Sequence, residues 1–262
     1  MNKTIITGFH AIEEQLKKAI AEKSNTQNFI LYYSKIGPRV KKILATAKSA
    51  GFNSEKVMHE QLDGLVLSLD ATARDHRGIV LALSGFEKKN NQFVDFDTEI
   101  EKICAHKKNK TIVLLDAVTD PHNVGAIIRS CDQFKVDLLV MAESNSPKNS
   151  EIISRASAGA NAWVAVSVVP NLVRAVQKLK EKKFWIYAAD MGGEPAPNIQ
   201  FPSNTALVMG SEGSGIRRLL KQSCDTTVFI PTDGRLDSLN VSVAAGILMY
   251  EVYRQKFVQT QL

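Results

Sequence analysis

Residues Ile230–Gln255, with the sequence IPTDGRLDSLNVSVAAGILMYEVYRQ, decide how the chain is organised. A β-branched run over Thr226–Ile230 ends at Pro231, and the segment from Ser238 to Asn240 leads into a long apolar stretch. Proline commonly ends a strand, whereas serine and asparagine open helices by capping free backbone N–H groups. The stretch therefore predicts a strand, a polar loop and a helix. Because apolar residues lie nearly all around that helix, we expect it to be buried in a core or against a partner.

The polar loop before this helix has two interpretations. A capped core helix is sufficient to explain such a loop in most proteins. It does not explain why so many polar residues precede a buried helix directly. We therefore also expect Ser238 and Asn240 to lie where backbone donors converge, which suits a functional site.

Strands and helices alternate from Thr111 onward. The apolar pattern predicts strands over Thr111–Leu115, Val136–Met141, Trp163–Val169, Phe184–Ala188 and Ala206–Met209. It predicts helices over Val124–Phe134, Ser150–Ala160, Asn171–Lys182 and Ile216–Lys221. Alternation on this scale is typical of an α/β fold, in which helices cover both faces of a parallel sheet.

The first 84 residues predict a smaller α/β unit. Its elements are a helix behind Gly8, a strand over Asn28–Tyr33, a helix from Pro38 to Gly51 and a strand over Ile79–Leu83. The polar run Gly85–Gln92 breaks the periodicity and predicts a linker. We therefore expect a first domain over residues 1–84, a linking region over 85–108 and a second domain over 109–262.

Composition and charge narrow the class of protein. Lys and Arg exceed Asp and Glu by 33 to 27, a net charge of +6, which favours an anionic partner such as nucleic acid. The three cysteines are isolated and lack metal-ligand spacing, so a reducing compartment and no metal are expected. No apolar run reaches transmembrane length, and acidic residues come too early for a signal peptide. These features predict a cytoplasmic protein.

A basic cluster lies around the helix that begins at Pro38. Its members are Lys35, Arg39, Lys41, Lys42 and Lys48. A solvated helix face is the simpler interpretation, and a surface that contacts phosphates is the alternative.

Two further stretches carry chemistry. In Leu115–Ser130, LDAVTDPHNVGAIIRS, Asn123 stands at the predicted entry of a helix and Arg129 lies two turns in, among apolar neighbours that suggest partial enclosure. Helix capping and a surface cation are the simpler roles for these two side chains. In Met209–Gly215, MGSEGSG, three glycines between a strand and a helix indicate close approach of the backbone to a ligand.

The glycine spacing argues against common nucleotide sites. It does not fit G-x-G-x-x-G, and no Lys-Ser/Thr pair follows as in a phosphate-binding loop. A carboxylate at Glu212 would also repel phosphates, so the ligand is expected to be neutral or cationic on that side. A dinucleotide-dependent oxidoreductase is therefore disfavoured.

Together the three stretches resemble the SpoU branch of the SPOUT methyltransferases. The likeness covers residues 110 to 255 and has the family's three motifs in the family's order, DPHNVGAIIRS, GSEGSG and IPTDGRLDSLNVSVAAG. The N-terminal GFHAIEEQL and the later HRGIVLAL resemble the substrate-binding domain of the subgroup that methylates a guanosine in 23S ribosomal RNA. That domain is similar to ribosomal protein L30e.

The resemblance implies a fold and an activity. The fold is an α/β one with a parallel sheet and a deep trefoil knot, preceded by an L30e-like RNA-binding domain, in a homodimer with its site near the subunit interface. The activity is methyl transfer from S-adenosyl-L-methionine to a ribose 2′-hydroxyl of RNA. By resemblance the catalytic or substrate-positioning residues are Asn123, Arg129, Glu212, Ser238 and Asn240. The residues that hold the cofactor, largely through backbone groups, are Gly210, Ile230 and Leu239.

Two alternatives stay open within this interpretation. The substrate can be a transfer RNA or another ribosomal RNA site, because the motifs do not indicate which nucleotide is methylated. A non-catalytic RNA-binding protein on the same scaffold is the other alternative. It is opposed by the presence of all five candidate catalytic residues, which binding alone does not demand.

Overall fold

The computed structural model describes residues 4–69, 71–84, 93–144, 146, 157, 159–235 and 238–261, and it divides the chain into two compact units. The first unit comprises Met1–Asn91 and Asn149–Trp163, and the second comprises Gln92–Lys148 and Val164–Leu262. The domain boundaries drawn from the sequence stay a prediction. The linker expected at Gly85–Gln92 and most of the helix expected at Ser150–Ala160 lie outside the described residues.

A four-stranded mixed sheet organises the first unit. Its strands are β1 Thr4–Ile6, β2 Phe29–Tyr33, β3 Asn53–Lys56 and β4 Ile79–Leu83, in the order β1-β4-β2-β3. Strand β4 runs antiparallel to β1 and β2, whereas β3 is parallel to β2. The helices are α1 Phe9–Ala21, α2 Pro38–Ser49 and α3 His59–Val66. Apolar residues of α1 and α2 form one core cluster with the sheet, and those of α3 contribute to another.

A six-stranded parallel sheet organises the second unit. Its strands are β5 Lys110–Leu115, β6 Leu138–Ala142, β7 Val166–Val169, β8 Trp185–Pro195, β9 Asn204–Met209 and β10 Thr226–Phe229. They stand in the order β10-β8-β9-β5-β6-β7, and every neighbouring pair is parallel. Strands β5 and β6 are buried along their whole length, as expected where helices cover both faces of a sheet. The predicted α/β fold with a parallel sheet is confirmed.

Five helices are described in the second unit: α4 Phe96–His106, α5 Pro121–Gln133, α6 Leu172–Glu181, α7 Arg218–Ser223 and α8 Val241–Gln261. Apolar residues of α4, α6 and α7 pack in one core cluster with the strands. Helices α5 and α8 pack against each other, with Cys131 Sγ 3.7 Å from Met249 Sδ. The knot implied by the resemblance stays a prediction.

Several predicted elements begin elsewhere than the apolar pattern indicated, and helix α5 and strand β7 show why. Helix α5 begins at Pro121, three residues before the predicted Val124, because Asp120 caps it by accepting from the backbone N–H of His122 at 2.9 Å. Proline suits the first helical position, since it has no N–H to leave unpaired. Strand β7 begins at Val166, three residues after the predicted Trp163, because Trp163 has helical backbone angles and ends a 3₁₀ turn at Ala160–Ala162.

Helix α8 is buried on one side and exposed on the other. Val241, Ala245, Leu248, Met249 and Val252 are buried. The remaining apolar side chains form an exposed stripe, which consists of Val243, Ile247, Tyr250, Phe257 and Val258. The helix is therefore only half covered within one chain. No helix in the described part of the chain combines the length and apolar character needed to span a membrane.

Lys256 is a buried ammonium at the end of α8. Its Nζ donates to the backbone oxygen of Lys110 and to Thr111 Oγ1, each at 2.8 Å. Burial lowers the pKa of this amine from its ordinary 10.5 to about 8; nearby Asp137 opposes the shift and Lys110 adds to it. The charged form is thus less favoured in the folded chain than in water.

This shift predicts how stability depends on pH. Below pH 8 the amine is protonated in both states, and between pH 8 and 10.5 only the unfolded chain keeps the proton. The contribution of Lys256 to stability therefore rises across that window, by at most about 3 kcal/mol. We expect Lys256→Met to flatten the rise, as measured by urea unfolding at several pH values. Lys102→Met, at an exposed position, should leave it in place, and an unchanged profile for Lys256→Met would contradict the assignment.

Candidate active site

The functional residues gather where the parallel strands end. Leu115 lies opposite Met209 in the sheet, and Met209 lies opposite Ala189, so β5 and β9 end side by side, next to the middle of β8. The chain order reverses between β5 and β9, because β6 and β7 lie on one side of β5 and β8 and β9 on the other. Ligands bind at such a reversal in open α/β sheets.

The glycine loop after β9 folds back closely on itself. The backbone N–H groups of Ser211 and Gly215 each donate to the other residue's oxygen, at 3.1 and 3.0 Å. A Cβ at Gly210 would lie 2.3 Å from the carbonyl carbon of Gly215, so only glycine fits there. Gly215 has φ of 63°, in the left-handed region that favours glycine. The close backbone contact expected of this loop is made, at Gly210, by the loop's own backbone.

Glu212 joins the three motifs. Its Oε1 accepts from Asn123 Nδ2 at 3.1 Å, from the backbone N–H of Val241 at 3.4 Å and, at short range, from Asn240 Nδ2. Asn240 Nδ2 also donates to Asn123 Oδ1 at 3.1 Å. We call Asn123, Glu212 and Asn240 the amide–carboxylate cluster. Asn123 lies inside α5, so its suggested capping role is wrong and its side chain is free to enter the cluster.

Asn240 has a second role as the cap of α8. Its Oδ1 accepts from the Ser242 backbone N–H at 2.9 Å, from Ser242 Oγ at 2.6 Å and from the Val243 N–H at 3.4 Å. These donors fix which side of the amide carries the oxygen, and so turn Nδ2 toward Glu212. Backbone donors do converge on Asn240, as the sequence indicated. For Ser238 the structure shows an exposed position at the pocket described next.

A pocket of about 270 Å³ opens beside the cluster. Gly210, Ile230 and Leu239, the three candidate cofactor residues, all line it. So do Glu212 and Ser238 from the candidate catalytic set. The middle of β8, the ends of β9 and β10 and the start of α8 form its walls, which bring apolar side chains, backbone groups and the carboxylate of Glu212 to one cavity. Asp190 also lines the pocket, but it is paired with Lys221 Nζ at 2.6 Å.

Arg129 lies apart from the cluster. It is exposed, so the partial enclosure suggested by its apolar neighbours is wrong: successive residues of a helix are about 100° apart, so the buried Ile127 and Ile128 lie on other faces. It lies six positions after Asn123, which places the two side chains roughly 120° apart around α5. Among the described residues, Glu212 contacts Asn123 and Asn240 but not Arg129.

An ion pair that sequence reasoning missed lies next to the glycine loop. Asp116, fully buried at the end of β5, accepts from Arg217, just beyond the loop. An acidic residue directly after a buried strand was the one local signal, because a buried carboxylate needs donors. Its partner is 101 residues away, so the sequence could not name it.

The basic cluster of the first unit is exposed on α2 and the turn before it. Arg39 is already engaged, since its Nε and a terminal nitrogen donate to Glu13 at 3.3 and 3.0 Å. The lysines Lys35, Lys41, Lys42 and Lys48 are exposed. Their charges remain available to an anionic partner.

Three potential metal ligands also meet in the first unit. His59, Asp63 and His76 offer ligand atoms within 4.8 Å of one another. However, the Gly78 N–H donates to His76 Nδ1 at 3.0 Å, so Nε2 of the neutral ring carries the proton and donates to Asp63 at 3.1 Å. A protonated Nε2 cannot bind a metal, and the contacts fit a structural hydrogen bond.

Comparisons with known proteins agree with the placement of the motifs. The SpoU rRNA methylase family model matches residues 110–250. An uncharacterized tRNA/rRNA methyltransferase of Borreliella burgdorferi is 37% identical over 231 residues, which are 87% of this chain and 98% of that protein.

Solved structures share the fold. The SpoU methyltransferase AviRb from Streptomyces viridochromogenes, in complex with AdoMet, has a TM-score of 0.72 and 20% identity, over 97% of this chain and 91% of that chain. An RNA 2′-O ribose methyltransferase has a TM-score of 0.73 and 21% identity, over 97% of this chain and 89% of that chain.

The close packing at Gly210 gives a controlled test of the loop. Gly210→Ala would push a Cβ into the backbone of Gly215, so we expect it to cost about 2 kcal/mol or more of unfolding free energy. Gly213→Ala should stay within about 0.5 kcal/mol of the wild type, because nothing lies within 4 Å of its added Cβ. Thermal and urea unfolding measure both. Equal stability of the two variants would show that the loop has a different conformation.

Proposed function

Because the chain belongs to the SpoU rRNA methylase family, we propose that it is an RNA methyltransferase that uses S-adenosyl-L-methionine to methylate a ribose 2′-hydroxyl. One observation carries the proposal: the pocket lined by Gly210, Ile230 and Leu239 lies directly beside the amide–carboxylate cluster. A solved structure of the same fold is that of an RNA 2′-O ribose methyltransferase, and another contains AdoMet. Both agree with this chemistry.

The pocket fits such a cofactor. The backbone groups of Gly210, Ile230 and Leu239 can bind its adenine and ribose, and apolar residues such as Leu248 can cover the ring. The carboxylate of Glu212 favours a cation over an anion, which suits a sulfonium and disfavours a dinucleotide, whereas Asp190 is already paired with Lys221 at 2.6 Å. When bound, the cofactor supplies an electrophilic methyl group.

The chain's own residues would hold the ribose. Only Oε1 of Glu212 is engaged among the described residues, so its second oxygen can accept a hydrogen bond from a hydroxyl. Asn123 and Asn240 fix the carboxylate in place, and Ser238 adds a hydroxyl at the pocket. A ribose hydroxyl is a weak acid, so a positioned acceptor helps its oxygen to attack.

Arg129 has a different role from that of a proton acceptor. Arginine stays protonated in proteins, so the side chain is unsuited to be a base. Its exposure suits contact with an RNA phosphate, where a guanidinium binds in bidentate fashion. Since it points away from Asn123, it can serve the same reaction centre only if RNA, or a second copy of the chain, brings the groups together.

The RNA partner is supported by charge. The exposed lysines of α2 and the net charge of +6 favour a polyanion. The N-terminal likeness favours a guanosine of 23S ribosomal RNA, with a transfer RNA or another ribosomal site as the alternative. Both RNAs are available in the cytoplasm, the location inferred from the sequence.

A homodimer is supported by the exposed stripe of α8. Val243, Ile247, Tyr250 and Phe257 lie on one face of a helix that begins at the cluster. A second copy that covers this stripe would exclude water close to the site. Sedimentation velocity at micromolar concentration tests the dimer, and a purely monomeric protein would refute it.

The central experiment measures both cofactor binding and the methylated product. We expect calorimetry to detect binding of S-adenosyl-L-methionine and not of NAD. Mapping of 2′-O-methyl groups in RNA from a deletion strain should find one site missing, and its RNA identifies the substrate. Binding of NAD alone, or a methylation map identical to that of the wild type, would refute the proposal.

Arg129→Ala tests the role of the guanidinium. We expect methyl transfer to fall on the order of a hundredfold or more with nearly unchanged cofactor affinity, because Arg129 is absent from the pocket lining. Arg129→Lys should keep part of the activity if the residue contacts phosphate, since a point charge still attracts it. Wild-type turnover by Arg129→Ala would remove the residue from the catalytic set.

A further inference from the structure

Asp116 binds both ends of the glycine loop. Its backbone N–H donates to the oxygen of Met209, the residue before the loop, at 2.8 Å. Its Oδ2 accepts from the backbone N–H of Arg217, just after the loop, also at 2.8 Å. Its Oδ1 accepts from Nε and a terminal nitrogen of the same arginine, at 2.7 and 2.6 Å. One residue thus closes the base of the loop that carries Glu212.

The chemistry of this contact requires a charged carboxylate. Asp116 is fully buried, and both of its oxygens accept from N–H groups of Arg217. An ionised carboxylate offers acceptors on both oxygens, whereas an asparagine amide would turn its NH₂ toward one of these donors. The side chain of Arg217 is 51% exposed, so water can solvate it if it loses its partner. The charge on Asp116 is therefore the less replaceable half of the pair.

We propose that Asp116 is a positioning residue, which through Arg217 holds the Gly210–Gly215 loop and so sets the place of Glu212 in the amide–carboxylate cluster. The inference rests on the proposed function, because the consequence of misplacing Glu212 is loss of cofactor affinity and methyl transfer. Asp116 lies on the same strand-to-helix connection that leads to Asn123. It therefore fixes the loop relative to the segment with which Glu212 must make its hydrogen bond.

Three variants separate positioning from general stability. Asp116→Asn keeps the shape and removes the charge. Arg217→Ala removes the guanidinium but keeps the backbone N–H that donates to Asp116 Oδ2. Because the side chain is half-exposed, its removal carries little risk to folding. Asp97→Asn is the matched control, because it neutralises an exposed aspartate in the ion pair with Lys178.

Hydrogen exchange of the free protein measures the order of the loop and does not depend on an activity assay. We expect Asp116→Asn to speed exchange of amides 210–217 about tenfold or more, while those of the buried strand β6 keep wild-type rates. Asp97→Asn should alter neither region. Equal acceleration in β6 would indicate loss of general stability and would overturn the proposal, as would an unchanged rate in the loop.

Binding and turnover then test the consequence. Asp116→Asn should weaken S-adenosyl-L-methionine binding about tenfold and slow methyl transfer about a hundredfold, because small misplacements of reacting groups are costly. Arg217→Ala should have a smaller effect, and the double variant should be no worse than Asp116→Asn. Additive losses or wild-type turnover by Asp116→Asn would overturn the proposal. If the wild type itself binds no cofactor, the proposed function fails, whereas the exchange result still decides the role of Asp116.

Discussion

The carboxylate of Glu212 holds together three segments that are distant in the sequence. It accepts from Asn123, 89 residues before it, and from Asn240, 28 residues after it. Glu212 and Asn240 are exposed, so water competes for these groups and each hydrogen bond contributes only about 0.5–1.5 kcal/mol. The cluster forms only when the ends of β5, β9 and β10 arrive at one edge of the sheet.

Burial of the strands fixes the register that brings their ends together. The side chains of Ile112, Val113 and Leu114 on β5 are fully buried, and so are those of Ala206, Leu207 and Val208 on β9. Because both faces of these strands are buried and close-packed, a slip of one residue would put every side chain into a space shaped for another. The register that places Leu115 opposite Met209 is thus fixed by the core, and it brings Asp116 beside Gly210. The precision of the site derives from apolar packing several residues away.

The sequence predicted the parts of this arrangement that depend on local pattern. Strand β4 begins and ends where the apolar run Ile79–Leu83 indicated, and the alternation of elements gave the parallel sheet. The motifs also supplied Asn123, Glu212 and Asn240 as candidates. Local pattern could not predict their mutual contacts, because residues 89 or 101 positions apart in the sequence show no periodic relation to each other. It also misjudged the exposure of Arg129, since apolar neighbours on a helix occupy other faces.

Asn240 shows why stability and function are difficult to separate at such a site. Its oxygen caps α8 and its nitrogen contacts Glu212, so one amide group serves the helix and the cluster at the same time. A change at Asn240 removes a helix cap, worth about 1 kcal/mol, along with the cluster contact. Asn123 has no capping role, because Asp120 caps its helix. Loss of function after a change at Asn123 therefore reports on the cluster itself, whereas the same loss at Asn240 first requires proof that α8 still begins at Val241.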